Sequence, residues 1–147
     1  MRICLPDVNV LIALHDSTHP AHLVAHNWFQ SSGNLSWATC PLSENGFIRI
    51  TAQTLLKGRL DGVSVAFFLL EKTKQVYSQT YHFWSDSVSL SDVELFVIPN
   101  ILGHNNITDS YLLGLCQKNN GTFVTLDYRV TTSAILSPHS ELLHILK

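Results

Sequence analysis

Charge is scarce in this chain. Only 14% of its 147 residues are Asp, Glu, Lys or Arg, against 46% hydrophobic, a balance that excludes a disordered segment and favours a packed core. The net charge of −2 excludes a global field that draws in a polyanion, so a nucleic-acid partner needs a local patch or bound cations. Long apolar runs are missing too: none nears the ~20 residues of a spanning helix, which excludes a membrane partner of that kind. Cysteine is limited to Cys4, Cys40 and Cys116, widely spaced and without a CxxC pair. They are expected to be buried free thiols in a reducing compartment. No secretory leader follows Met1-Arg2, so the sequons at Asn34, Asn106 and Asn120 are expected to be fortuitous and the chain soluble and cytoplasmic. With no internal repeat, low-complexity tract or linker, residues 1–147 are read as a single domain.

What is present is an acid in the wrong place. ICLPDVNVLIALHD, Ile3 to Asp16, is apolar enough for the core, yet Asp7 stands in its middle with Asn9 two residues on. Burying a carboxylate costs several kcal/mol unless it is paired or metal-bound. Pro6-Asp7 reads as a turn between a strand over Arg2 to Leu5 and a helix from about Val8, which puts Asp7 at a strand's carboxyl end.

The remaining segments alternate. A helix with Pro20 in its first turn runs to about Phe29 and stops at Ser31 to Asn34; a strand covers Leu35 to Trp37. Thr39 or Cys40 caps a helix through Ile50 that holds Glu44 near its start. A further helix is predicted over Val63 to Gln75, an edge strand over Gln79 to Trp84, and a short helix opened by the capping pattern Ser91-Asp92-Val93-Glu94. Thr108 is expected to cap the next helix, with Asp109 in its first turn and a stop at Lys118 to Gly121. Strands over Thr122 to Leu126 and Leu142 to Leu146 complete the pattern, and Asp127 follows the first of these. Alternation of this kind implies an α/β fold with a mainly parallel sheet.

Asp7 and Asp127 therefore lie on one edge of that sheet, where ligands bind, and helix starts bring Glu44 and Asp109 toward the same edge. Four carboxylates gathered there would repel one another unless a divalent cation neutralised them; oxygen-only ligands suit Mg²⁺ or Mn²⁺. Spacing alone leaves a plainer reading open, with Asp109 a helix-start acid, Asp127 a turn residue and Glu44 a surface residue.

LPDVNVLIAL, His19 to Phe29, WATCPLSENGFIRI, ITDSYLLGLC and TFVTLDYRV occur in that order. Together they resemble PIN-domain proteins, most closely VapC-type toxins of bacterial toxin–antitoxin pairs. The resemblance implies a three-layer α/β/α fold and a metal-dependent endoribonuclease. On the matching positions it implies Asp7, Glu44, Asp109 and Asp127 as the catalytic acids, with Mg²⁺ or Mn²⁺ held chiefly by Asp7 and Asp109. Asn9 and Thr108 are implied as supporting residues, RNA as substrate, a cognate antitoxin as partner and a homodimer as the assembly. A PIN-like module that binds RNA or protein without cutting is the competing function. Arg49, Lys57 and Arg59 are a candidate phosphate-contacting group. His15, His19, His22 and His26 cluster at partly helical spacing, but they lack a defined ligand set for zinc, and a packed or exposed helix face is preferred.

Overall fold

The structure, a computed structural model, describes residues 2–31 and 35–147. Five short parallel strands, β1 (Cys4–Pro6), β2 (Trp37–Thr39), β3 (Tyr81–Phe83), β4 (Thr122–Thr125) and β5 (Leu143–Ile145), form a sheet in the order β3-β2-β1-β4-β5. All four pairings are parallel. From β1 the chain builds outward to one edge through β2 and β3, then returns to lay β4 and β5 on the other side. The order reverses between β1 and β4, so the crevice of this fold opens at their carboxyl ends.

Helices cover both faces, as a parallel sheet requires. On one face lie α1 (Val8–His15), α2 (His22–Ser31), α3 (Pro41–Gln53) and α4 (Gly62–Val76), packed through Val10, Leu11, Phe29, Trp37, Phe47 and Leu70. On the other lies α5 (Ile107–Lys118), whose Leu112, Leu113, Leu115 and Cys116 join Leu5 and Phe123. Phe123 and Val124, adjacent on β4, enter opposite cores, the two-residue alternation of a strand. The α/β/α layering expected from the resemblance is present. Among the described residues, no helix is long and apolar enough to cross a membrane.

Most boundaries fall within two residues of expectation; the exceptions have physical causes. Pro20 precedes α2 instead of opening it, because Asp16 accepts the backbone N–H of Thr18 through its side chain and that of His19 through its carbonyl, making a separate turn. Of the stop predicted at Ser31 to Asn34, Ser31 is the last residue of α2 and residues 32–34 lie outside the described residues. Ser91 to Glu94 opens no helix: the Asp92 carboxylate accepts the Glu94 N–H at 3.0 Å and closes a single turn. The chain then leaves because Phe96 is pulled into the core and bridges to Ile135. Thr108 is not the cap of α5. A 3₁₀ turn over His104–Asn106 feeds directly into the helix, so Asn106 occupies the cap position and Thr108 sits in the first turn.

Phe96 reaches its place only because α5 carries Gly114 opposite it. A Cβ built on Gly114 lies 2.2 Å from Cζ of Phe96, a ring that is itself buried in the core. Gly114→Ala should cost about 1–3 kcal/mol through overpacking, despite the better helix propensity of alanine. Urea unfolding of the two proteins measures it.

Candidate active site

The site starts with the buried acid. Asp7, 8% exposed, follows β1 and caps α1: its Oδ1 accepts the Val8 N–H at 2.7 Å, and its own N–H donates to the Val124 carbonyl at 2.8 Å. Its second oxygen, Oδ2, accepts the hydroxyl of Thr125 at 2.8 Å. Thr125 is fully buried at the end of β4 and works as a hub. Its oxygen also accepts from Asn9 Nδ2 at 3.2 Å and from the backbone N–H of Asp127 at 3.1 Å. Asn9 closes the circuit, accepting the Leu126 N–H on Oδ1 at 3.2 Å. One hydroxyl thus fixes Asp7, Asn9 and the approach to Asp127 at the switch point between β1 and β4.

Burial pushes the Asp7 carboxyl above the ordinary range; the Thr125 and Val8 hydrogen bonds oppose that shift, and the Asp127 charge adds to it. Asp109, in the first turn of α5, is pushed up to about 6, by burial first and then by the charges of Asp7 and Asp127, with Arg129 acting the other way. Arg129 is committed elsewhere. Its guanidinium grips Asp127 through Nε at 3.0 Å and Nη2 at 3.1 Å, and this pairing holds Asp127 below the usual range. Asp7, Asp109 and Asp127 are therefore electrostatic neighbours, and among the described residues only Asp127 of the three is ion-paired.

Glu44 is not brought to them. It lies inside α3, as expected, but its Oε2 accepts from Lys74 Nζ at 2.6 Å and from Thr39 Oγ1 at 2.7 Å, with the Tyr81 hydroxyl at 3.4 Å. Burial works against the Lys74 charge, yet the hydrogen bonds the ammonium donates to Glu44 and Glu71 outweigh that and hold it above its ordinary range. The pair ties α4 to the ends of β2 and β3. Sequence reasoning had no partner for Glu44, because Lys74 is thirty residues away and on another helix.

Among the described residues, no three His, Cys, Asp or Glu side chains stand close enough to hold one ion. Two suffice for magnesium, which keeps several of its waters and is bound through one or two carboxylates. Asp7 and Asp109 fit that demand: both are oxygen donors, both are raised by burial, and a hard cation relieves the repulsion between them.

Two clefts flank the aspartates. Asp109 and Arg129 line one, with Asn106 and Thr131. Asp7, Asn9 and Thr108 line the other, across which α3 presents Asn45 and Arg49. Of the candidate basic residues only Arg49 reaches this region. Lys57 and Arg59 lie in the turns after α3, where Arg59 pairs with Asp61 at 2.8 Å. Three of the clustered histidines are engaged in the fold and His26 is exposed: His15 Nδ1 is 2.7 Å from the Leu11 carbonyl, His22 Nδ1 is 2.7 Å from that of Ala13, and His19 Nδ1 accepts the Ala21 N–H at 3.0 Å. Ser43 is spent on capping α3, accepting the Cys40 N–H at 3.0 Å, and the three cysteines are unpaired.

No family model matches the chain. Individual relatives do. Over 146 residues, 98% of this chain and 100% of the relative, it is 36% identical to Ribonuclease VapC38 of Mycobacterium tuberculosis. It is 33% identical over 135 residues, 92% of each chain, to Ribonuclease VapC44 of the same organism. The chain belongs to the VapC ribonucleases. Its VapC fold also aligns with the crystal structure of Mycobacterium tuberculosis VapC20, a sarcin–ricin loop cleaving toxin. That alignment has a TM-score of 0.59 and 10% identity, and covers 88% of this chain and 92% of the other. At that identity the likeness speaks to the fold alone.

Within this VapC chain Thr125 is the residue the sequence reading missed. Its signal was present in TFVTLDYRV, a hydroxyl at the last position of a strand otherwise built for burial. Replacing Thr125 by Val keeps the shape and removes the donor to Asp7, the acceptor for Asn9 and the acceptor for the Asp127 amide. By analogy with partners that orient ligating carboxylates, Thr125→Val should lower RNA cleavage by about 10–100-fold. Side-by-side turnover assays on one RNA check this.

Proposed function

We propose that the chain is the toxin of a toxin–antitoxin pair, an endoribonuclease that hydrolyses RNA phosphodiester bonds at Asp7 and Asp109 with Mg²⁺ or Mn²⁺. The observation that carries the reading is the pairing of two carboxylates, both raised by burial, at the β1–β4 switch point. The family names its activity; this pair supplies a place for it.

A divalent cation bound there lowers the pKa of a water and stabilises charge on a phosphodiester in transit. The protein's share is orientation. Thr125 and the Val8 amide each engage one Asp7 oxygen and fix the carboxylate where it lines the cleft. Asn9 locks that geometry to β4. Asp127, ionised by Arg129, adds negative charge beside Asp109 and completes the acidic rim. Thr108, exposed at the cleft, is placed to donate to a phosphate oxygen. In this reading Glu44 serves as the anchor that fixes α3 against α4 through Lys74.

The antitoxin and a second copy of the chain are the expected protein partners. Val63 and Phe68 on α4 are 64% and 66% exposed, an apolar surface of the kind that partners cover. Incubating purified protein with labelled transfer RNA, ribosomal RNA and single-stranded DNA, in Mn²⁺ and then in excess EDTA, tests the proposal. Cutting of RNA in Mn²⁺ alone is the expected result. Equal cutting in EDTA, or of DNA alone, contradicts it.

The acids also predict a pH dependence. Native Asp109 keeps its proton up to about pH 6, whereas an unfolded aspartate releases it near ~3.9. Between those values the native state binds more protons than the unfolded state, so this group's contribution to stability falls as pH rises. Asp109→Asn should therefore melt higher than wild type at neutral pH without metal, by on the order of 1 kcal/mol or ~3 °C. The gap should narrow toward acid, and scanning calorimetry across that range reads it directly.

A further inference from the structure

The cleft on the Asp7 side has a feature that metal chemistry does not use. Its volume is about 470 Å³, in the range of small-molecule sites, and its apolar walls include Ile12, Leu42 and Ile50. At its rim α3 places Asn45 and Arg49, four residues apart and so on one face of the helix. Both are exposed, and among the described residues neither has a side-chain hydrogen bond or ion pair. That sets Arg49 apart. Arg2, Arg59 and Arg129 each hold a carboxylate, at 2.5, 2.8 and 3.0 Å. The α3 backbone comes unusually near α1 beneath these residues, where a Cβ on Gly46 would lie 2.8 Å from Val8 Cγ2. The close approach brings the Asn45–Arg49 face to the edge of Asp7.

Resting on the ribonuclease reading above, we propose that this cleft is a base-reading subsite. One unpaired nucleobase of the RNA enters between Ile12, Leu42 and Ile50, the Asn45 carboxamide reads its edge, and Arg49 takes the adjoining phosphate. Each part follows from chemistry present at the cleft. A carboxamide offers a donor and an acceptor side by side, the pattern that pairs with a base edge, and apolar walls accept the ring faces. An arginine without an acid partner is matched to a phosphate, which it grips with its planar fork. A base can enter such a pocket only when splayed out of a helix, so the subsite selects single-stranded or looped RNA. The phosphate held by Arg49 is then next in line to the one presented to Asp7 and Asp109.

The test separates reading from cutting. Affinities of the full chain for four fluorescent single-stranded oligoribonucleotides, each of one base, are measured by anisotropy in EDTA and low salt, where no cutting is expected. Wild type should prefer one base over the least favoured by about tenfold. Asn45→Ala should compress that preference to about twofold or less, while Arg49→Gln should weaken all four by a similar factor and leave the ranking unchanged. Circular dichroism melts confirm that both variants are folded. Equal or absent binding of the four by wild type, or an unchanged preference in Asn45→Ala, overturns the subsite. A parallel cleavage assay in Mn²⁺ keeps the two ideas distinct. Cutting without base preference rejects the subsite alone, and base preference without cutting rejects the ribonuclease reading alone.

Discussion

Asp7→Asn should reduce RNA cleavage by about a thousandfold, the several kcal/mol of transition-state stabilisation that a correctly held divalent cation contributes. The substitution is nearly isosteric. Asparagine keeps an oxygen to accept the Val8 N–H at the start of α1, so the cap survives. What disappears is the charge, together with the Oδ2 acceptor of the Thr125 hydroxyl. Burial already pushes the native Asp7 carboxyl upward, so removing that charge offsets the lost Thr125 contact and should leave thermal stability about equal in the absence of metal. In saturating Mn²⁺ the two should diverge: wild type gains stability by mass action and the variant does not. A melt with and without Mn²⁺, run beside the cleavage assay, reads both consequences. Loss of activity together with a large fall in melting temperature would mean that Asp7 is structural.

The second large effect belongs to the core beneath the site. Phe47 is fully buried, lies 5.0 Å from the His15 ring between centroids, and joins Leu11, Phe29, Trp37 and Leu70. It therefore links α1, α2, α3 and α4 across one face of the sheet. Phe47→Ala removes a ring from a place where four elements meet and none can collapse freely, at a cost of about 3–5 kcal/mol. For a domain of this size that is a large part of the total and corresponds to a fall of ~10 °C in Tm. Cleavage should fall as well, since Phe47 holds α3 against the helix that Asp7 caps. A loss below about 1 kcal/mol in urea unfolding would show that the face repacks.

The layers of this fold were legible because they rest on local pattern. Short apolar runs bounded by Pro6, Pro41 and Gly121 gave the strands and the helix starts. Asp7 and Asp127 stood out because each directly follows such a run. The capping pattern at Ser91 to Glu94 misled because it satisfies a turn as well as a helix, and Phe96 decided between them through a contact with Gly114 that no local window contains. Glu44 had the right helix and the wrong neighbours. Its direction depends on Lys74, Thr39 and Tyr81, three positions on three other elements. Thr125 was overlooked for the converse reason: a β-branched residue in a buried strand looks like packing until its hydroxyl is seen to face Asp7. Arg49 separated from Lys57 and Arg59 only when α3, which carries Arg49 and ends before the other two, had an axis and a face.

The most direct test is crystallographic. In crystals grown with Mn²⁺, anomalous difference density should show an ion with oxygens of Asp7 and of Asp109 both about 2 Å away. An ion bound elsewhere, or Asp7 and Asp109 left without one at saturating Mn²⁺, would contradict the account.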